Sequence, residues 1–222
     1  MLFHVLLVAH IAVLGYWLGS ELVINSTYRF VTRARTMPVP ERTRLLDHVM
    51  VVDQHVRYAL VLQFTLGFCL LSLYGWLPLG RAGARVFAGL GAAWLLFVEI
   101  THRRRGTEAG RRLAAVDRAL RYGLMAALVL FAARILLSGA LPAWLGWKLL
   151  CFVAVMACGV GIRLVLIRYF QAWLVLESEG SGDAIEARLM RLYWQATAVL
   201  GLLWLFIALA VYLSVAKPGG VP

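Results

Sequence analysis

The sequence predicts an all-α membrane protein, a six-span transmembrane helical bundle carrying an internal two-helix parallel repeat. Three observations lead there. Hydrophobic residues make up 62% of the chain and charged residues 15%, whereas a soluble domain is about half apolar. Apolar stretches of roughly 20 residues, the length that crosses a bilayer core, recur along the chain. The chain also repeats itself at a fixed interval.

The spans fall near 2–24, 58–77, 86–100, 124–141, 143–167 and 193–215. The first has neither a basic leader nor a small-residue cleavage site, so it reads as a mature span and not as a secretion signal. Pro38 and Pro40 break the chain after it. An amphipathic extension from Thr43 leads into the second span. The third is the weakest, being short and preceded by Arg85. The run SEGSGD at 178–183 is a turn before the closing span. The whole reads as a single transmembrane domain, 1–222.

The repeat has an offset of 64 residues. Val52-Asp53 returns as Val116-Asp117, Arg57-Tyr58 as Arg121-Tyr122, and Leu77-Pro78 as Leu141-Pro142. Copy one covers 52–101 and copy two 116–167, and both enter from the same side. Each opens with an Asp at the helix start, where it complements the dipole, and an Arg four residues on that can pair with it.

The formal net charge of +11 lies mostly in loops. Arg29, Arg33, Arg35, Arg42 and Arg44 follow span one, and Arg103, Arg104, Arg105, Arg111, Arg112 and Arg118 follow span three. The alternate loops are short and poor in charge. The positive-inside rule then places a multi-pass protein in the cell inner membrane with both termini outside the cytoplasm. No basic patch is interleaved with aromatics, so nucleic acid is not an expected partner; the lipid bilayer is. Cys69, Cys151 and Cys158 all sit in apolar runs without a C-x-x-C pair and read as free thiols packed as small hydrophobes. Trp144, Trp147, Trp173 and Trp194 lie near span ends and read as interface anchors.

Two layers of polar residues interrupt the spans. His10, Trp17 and Glu21 share one face of the first helix, being seven and four residues apart. His10 lies eight residues inside span one, ~12 Å deep at 1.5 Å per residue. Arg134 lies ~12 Å from the outer end of span four and Lys148 ~9 Å into span five. Three basic side chains thus reach one depth with no carboxylate beside them in the sequence. An anionic ligand, or a metal held by neutral His10, would relieve their repulsion. A porphyrin supplies both: His10 on the iron, Arg134 or Lys148 on the propionates, Trp17 with Tyr16 near the ring. The plainer alternative has Lys148 and Arg134 snorkelling to the interface and His10 bonding a neighbouring helix.

The second layer holds Glu21, Asn25, Asp53, His55, Arg57, Glu99, His102, Asp117, Arg121 and Arg163. Interfacial pairing accounts for most of it. Glu21 lies deeper, on the His10 face. It reads either as a buried pair with Arg163 or as part of a proton path.

Two stretches carry a family resemblance: HIAVLGYWLGS from His10 to Ser20, and PAWLGWKLLCFVAVMACGVGIR from Pro142 to Arg163. Together with a closing apolar span that ends at Lys217-Pro218, they resemble the HemJ-type protoporphyrinogen IX oxidases and the related CopD-like membrane proteins. The resemblance implies haem b, porphyrinogen oxidation, and a histidine–lysine pair as the catalytic residues; by motif position these are His10 and Lys148. That family has about four spans, and six are read here; spans two and three would be an added copy. Three readings follow. The first is a haem-b redox protein acting on a porphyrin and passing electrons to quinone. The second is a CopD-like copper or small-solute transporter. The third is a non-catalytic subunit of a homo-oligomer or larger membrane complex.

Overall fold

The computed structural model describes residues 1–218. They form six helices: α1 (Leu2–Arg33), α2 (Val39–Leu73), α3 (Gly80–Arg103), α4 (Glu108–Ser138), α5 (Ala143–Glu179) and α6 (Asp183–Ala216). Each is long and apolar enough to cross a membrane, so the chain is an all-α, multi-pass membrane protein. Residues 219–222 of the predicted 1–222 domain lie outside the described residues.

The helices overrun the predicted spans. α2 begins at Val39 and α4 at Glu108, about 19 and 16 residues before the apolar runs that mark them. Hydropathy registers the part of a helix that lipid covers and is blind to a charged continuation. At 35 residues, α2 is ~52 Å long against a hydrocarbon core of ~30 Å. Pro40 does not interrupt it. It sits in the first turn, where a missing N–H costs nothing, and the break falls instead at 34–38, closed by the Met37 N–H to Ala34 carbonyl bond of 3.0 Å.

The chain folds as two compact units. Unit 1 comprises Met1–Phe30 and Thr43–Asp117. There α1 and α2 run antiparallel, tied by the Gln63 amide donating to the His10 carbonyl at 3.1 Å. α2 and α3 form a close antiparallel hairpin. The Phe68 and Phe87 rings meet at 5.1 Å, tilted by 45°, and the Cys69 thiol donates to the Ala84 carbonyl at 3.3 Å. Gly91 lies so near Thr65 that a Cβ there would fall 2.2 Å from its Oγ1.

Unit 2 comprises Val31–Arg42 and Arg118–Pro222. α5 and α6 pack along each other as a second antiparallel hairpin. Its connection opens at Gly180, whose φ of 87° lies in the left-handed region that glycine adopts without strain. α4 meets α5 where Gly146 lies against Leu136 and the Ala132 carbonyl.

Two structural features recur at the 64-residue offset. Gly75 (φ 89°) and Gly139 (φ 63°) both turn the chain just past an outgoing helix. Ser72 and Leu136, 64 residues apart, each face a glycine of the returning helix, Gly83 and Gly146, which are themselves 63 apart, so in this second feature only the outgoing helix keeps the interval. All three cysteines are free.

Candidate functional site

His10 lies on the side of α1 that faces α2. Its Cε1 would be 3.6 Å from a Cβ at Gly67, and its Nδ1 is shielded from solvent. The imidazole is thus held inside unit 1, with a glycine opposite that keeps a side chain from crowding it. Gln63, one turn before Gly67, fixes the local backbone through the His10 carbonyl.

Further along α1, Trp17 is 3% exposed and Glu21 8%. The indole Nε1–H of Trp17 donates to the Glu21 carboxylate at 3.3 Å, so this tryptophan serves an acid one turn away. Asp53 on α2 adds a like charge that repels it. The suggested partner, Arg163, belongs to α5 in unit 2, and Glu21 has no cationic partner within unit 1. The repeat places Arg163 64 residues after Glu99, so its counterpart in copy one is a carboxylate.

The polar layer of unit 1 is built as a chain across three helices. The Tyr16 hydroxyl is hydrogen-bonded to His55 Nδ1 at 2.5 Å. The His55 ring also stands edge-on to Tyr58, 6.1 Å between centroids. Tyr58 donates its hydroxyl proton to Glu99, and Glu99 accepts from Arg103 four residues later at 2.5 Å. Beside it, Asp53 and Arg57 make the i,i+4 pair that the VD-x-x-x-RY motif predicts, at 3.2 Å. Of the expected layer, the structure therefore joins Asp53 with Arg57. It also connects His55 to Glu99 through Tyr58, which the sequence reading placed only in the repeat motif, and adds Tyr16 at the other end, which that reading set beside Trp17 near a porphyrin ring.

The predicted cations of unit 2 do not meet across the α4–α5 contact. Arg134 stands two residues, about 200° of helical turn, from Ala132, and Lys148 the same from Gly146. Each therefore lies on the side of its helix away from the Gly146 contact. Arg134 is exposed between Leu130, 71% exposed, and Leu137, 88% exposed. Lys148 is half-buried, with Trp144 (5% exposed) and Leu149 (9%) among its buried neighbours in sequence. Depth along a helix was legible from sequence; azimuth required the packing partner.

The most thoroughly buried charge among the described residues was read only as a topogenic loop residue. Arg42 is 0% exposed and its partner Glu186 1%. They pair through two bonds, Nη1 to Oε1 at 2.6 Å and Nη2 to Oε2 at 3.0 Å. Arg42 also donates from Nε to the Val31 carbonyl at 3.0 Å and lies 5.0 Å above the Trp173 ring. Ser181 donates to Glu186 at 2.8 Å. Trp173 stacks with Tyr169 at 12°, and the Tyr169 and Thr32 hydroxyls are bonded at 2.9 Å. Trp173 is thus a core residue, as is Trp144, while Trp147 and Trp194, both about half exposed, are free to anchor at an interface. This cluster binds the 31–42 segment to the α5–α6 turn. Its members are 144 residues apart, so no local pattern announces it.

Compared with protein-family models, curated proteins and solved structures, the chain matches none. What stands is its class: a six-helix, multi-pass membrane protein.

Proposed function

We propose that this is an integral membrane redox protein that holds a haem b through His10, oxidises a porphyrinogen-type substrate and passes the electrons to quinone. The observation that carries the reading is the setting of His10. An ionisable group in a membrane helix costs roughly 2.5–3.5 kcal/mol on insertion scales. Here it is turned onto α2 and faced by Gly67, not left to lipid. A neutral imidazole in apolar, solvent-shielded surroundings suits a haem iron. When bound, the haem would supply one-electron exchange.

The chain's own residues do the rest. His10 is the ligand, and the Gln63 bond to its carbonyl holds the backbone from which it projects. Lys148 has no hydrogen bond or ion pair among the described residues, so it can supply charge to a carboxylate, as the resemblance implies for its position. Glu21, held by the Trp17 N–H, stores a proton on the His10 face. The surplus of arginine on one set of connections orients the protein in the inner membrane with both termini outside the cytoplasm. The copper-transport alternative has less to draw on: no group of three or more His, Cys, Asp or Glu able to hold a metal ion occurs among the described residues.

The test is the absorption spectrum of protein purified in detergent. The expected result is a Soret band with b-type features on reduction, lost in His10→Ala and kept in Lys148→Met. A colourless wild-type protein, or a His10→Ala variant with an unchanged spectrum, overturns the proposal.

A further inference from the structure

The Tyr16–His55 pair is misplaced for a purely structural role. Tyr16 lies 14 residues past Leu2, ~21 Å along α1, within the thickness of a hydrocarbon core of ~30 Å. Yet Tyr16 is 41% exposed and His55 is exposed too. Val51, one turn before His55, is 52% exposed, while Asp53 and Arg57 pair close by, so the site stands where α2 passes from its charged extension into the apolar run that begins at 58. Ionisable residues in membrane helices ordinarily face the bundle interior. This one opens to the flank at the end of the lipid-covered part of α2, within reach of the head group of a lipid-soluble molecule.

The pair is also held in place. His55 stands edge-on to two tyrosine rings, Tyr16 at 5.8 Å and 79°, and Tyr58 at 6.1 Å and 81°. Tyr58 is in turn fixed to Glu99 on α3. The hydrogen bond to Tyr16 occupies Nδ1 and leaves Nε2 without a partner among the described residues. When the Tyr16 hydroxyl donates, Nε2 carries the proton and is a donor. When Nδ1–H donates to Tyr16, Nε2 is an acceptor. One fixed ring therefore suits both a carbonyl and a hydroxyl at the same point, differing only by tautomer.

We infer that Tyr16 and His55 form a binding site for the head group of an isoprenoid quinone entering from the bilayer, its carbonyl or hydroxyl bonded to His55 Nε2 and its tail lying along the exposed apolar flank. The inference deepens the redox reading and rests on it for its purpose, since it names where the electron acceptor docks. Binding itself does not require haem, and this separates the two claims.

The experiment is calorimetric titration of a short-chain ubiquinone into the full chain in phosphatidylcholine nanodiscs. Saturable binding is expected for wild type and equally for His10→Ala. His55→Ala should weaken it about tenfold, the worth of one well-made hydrogen bond. His55→Gln, which keeps an N–H donor, should recover most of the loss. Tyr16→Phe, which frees the tautomer but keeps the ring, should fall between. Absence of saturable binding by wild type overturns the site, as does unchanged affinity in both His55→Ala and Tyr16→Phe. If quinone binds as described to a protein that carries no haem, the redox reading fails and the site stands.

Discussion

At the scale of single residues, the pairing of Arg42 with Glu186 is the buried ion pair of unit 2. Both are essentially inaccessible. The guanidinium spends three of its donors, two on the carboxylate and one on the Val31 carbonyl. Taking two charges out of water is expensive, and the bidentate geometry with the Ser181 hydroxyl repays it only while every partner is present. Removing one member should therefore cost more than removing both. Glu186→Ala is expected to destabilise by roughly 3–5 kcal/mol, because Arg42 is left charged and dry. The Arg42→Met, Glu186→Leu double variant should recover a large part of that, losing chiefly the Val31 bond and the contact over Trp173. Thermal unfolding of the detergent-solubilised protein measures this, with a fall on the order of 10 °C for the single variant. A double variant no more stable than Glu186→Ala would mean that the cluster works through packing and not through paired charge.

At the scale of helices, close approach decides which glycines matter. Gly91 has Thr65 Oγ1, Cγ2 and Cβ all within 2.8 Å of where its Cβ would stand, whereas Gly89, two residues earlier on α3, meets nothing within 4 Å. Gly91→Ala should push α3 off α2 and cost about 1–3 kcal/mol. Gly89→Ala should be neutral or gain up to about 1 kcal/mol from helix propensity. The same unfolding assay compares them, and equal effects would sink the assignment of the α2–α3 contact. This contrast also shows what was legible in the sequence. Six apolar runs were enough to number the helices and set their order. The charged overruns at 39–57 and 108–123 escaped because hydropathy does not respond to helix outside lipid. His10, Trp17 and Glu21 could be placed on one face from their spacing alone. Their partners Gly67, Gln63 and Asp53 could not, because facing positions on separate helices leave no trace in a single sequence. Arg134 and Lys148 show the same limit: matched in depth, they occupy helix sides that only packing reveals. Arg42 looked like an ordinary loop charge until the fold brought it to Glu186, 144 residues away.

At the scale of the whole molecule, the arginines make orientation a physical prediction. The connections after α1 and α3, with the helix ends beside them, are crowded with arginine, while those after α2 and α4, at the opposite ends, hold no charged residue, Arg81 and Arg85 lying on the first turns of α3. Moving clustered positive charge outward across an energised membrane opposes the potential, at about 2.3 kcal/mol per charge per 100 mV. The arginine-rich connections should therefore remain cytoplasmic. In a background with Cys69, Cys151 and Cys158 replaced by Ala, single cysteines at exposed connection positions report the side directly. Thr36→Cys and Thr107→Cys should resist a membrane-impermeant maleimide in intact cells and react once the membrane is permeabilised. Leu79→Cys and Ala140→Cys should react in intact cells. The reverse pattern would invert the protein. It would also place His10, eight residues inside the start of α1, ~12 Å from the cytoplasmic surface, and move the Tyr16–His55 pair to the opposite leaflet. Labelling at all four positions in intact cells would show a connection set that does not alternate, which six spanning helices cannot produce. The expected alternation ties the charge pattern, the helix count and the depth of the two polar sites to one measurable arrangement.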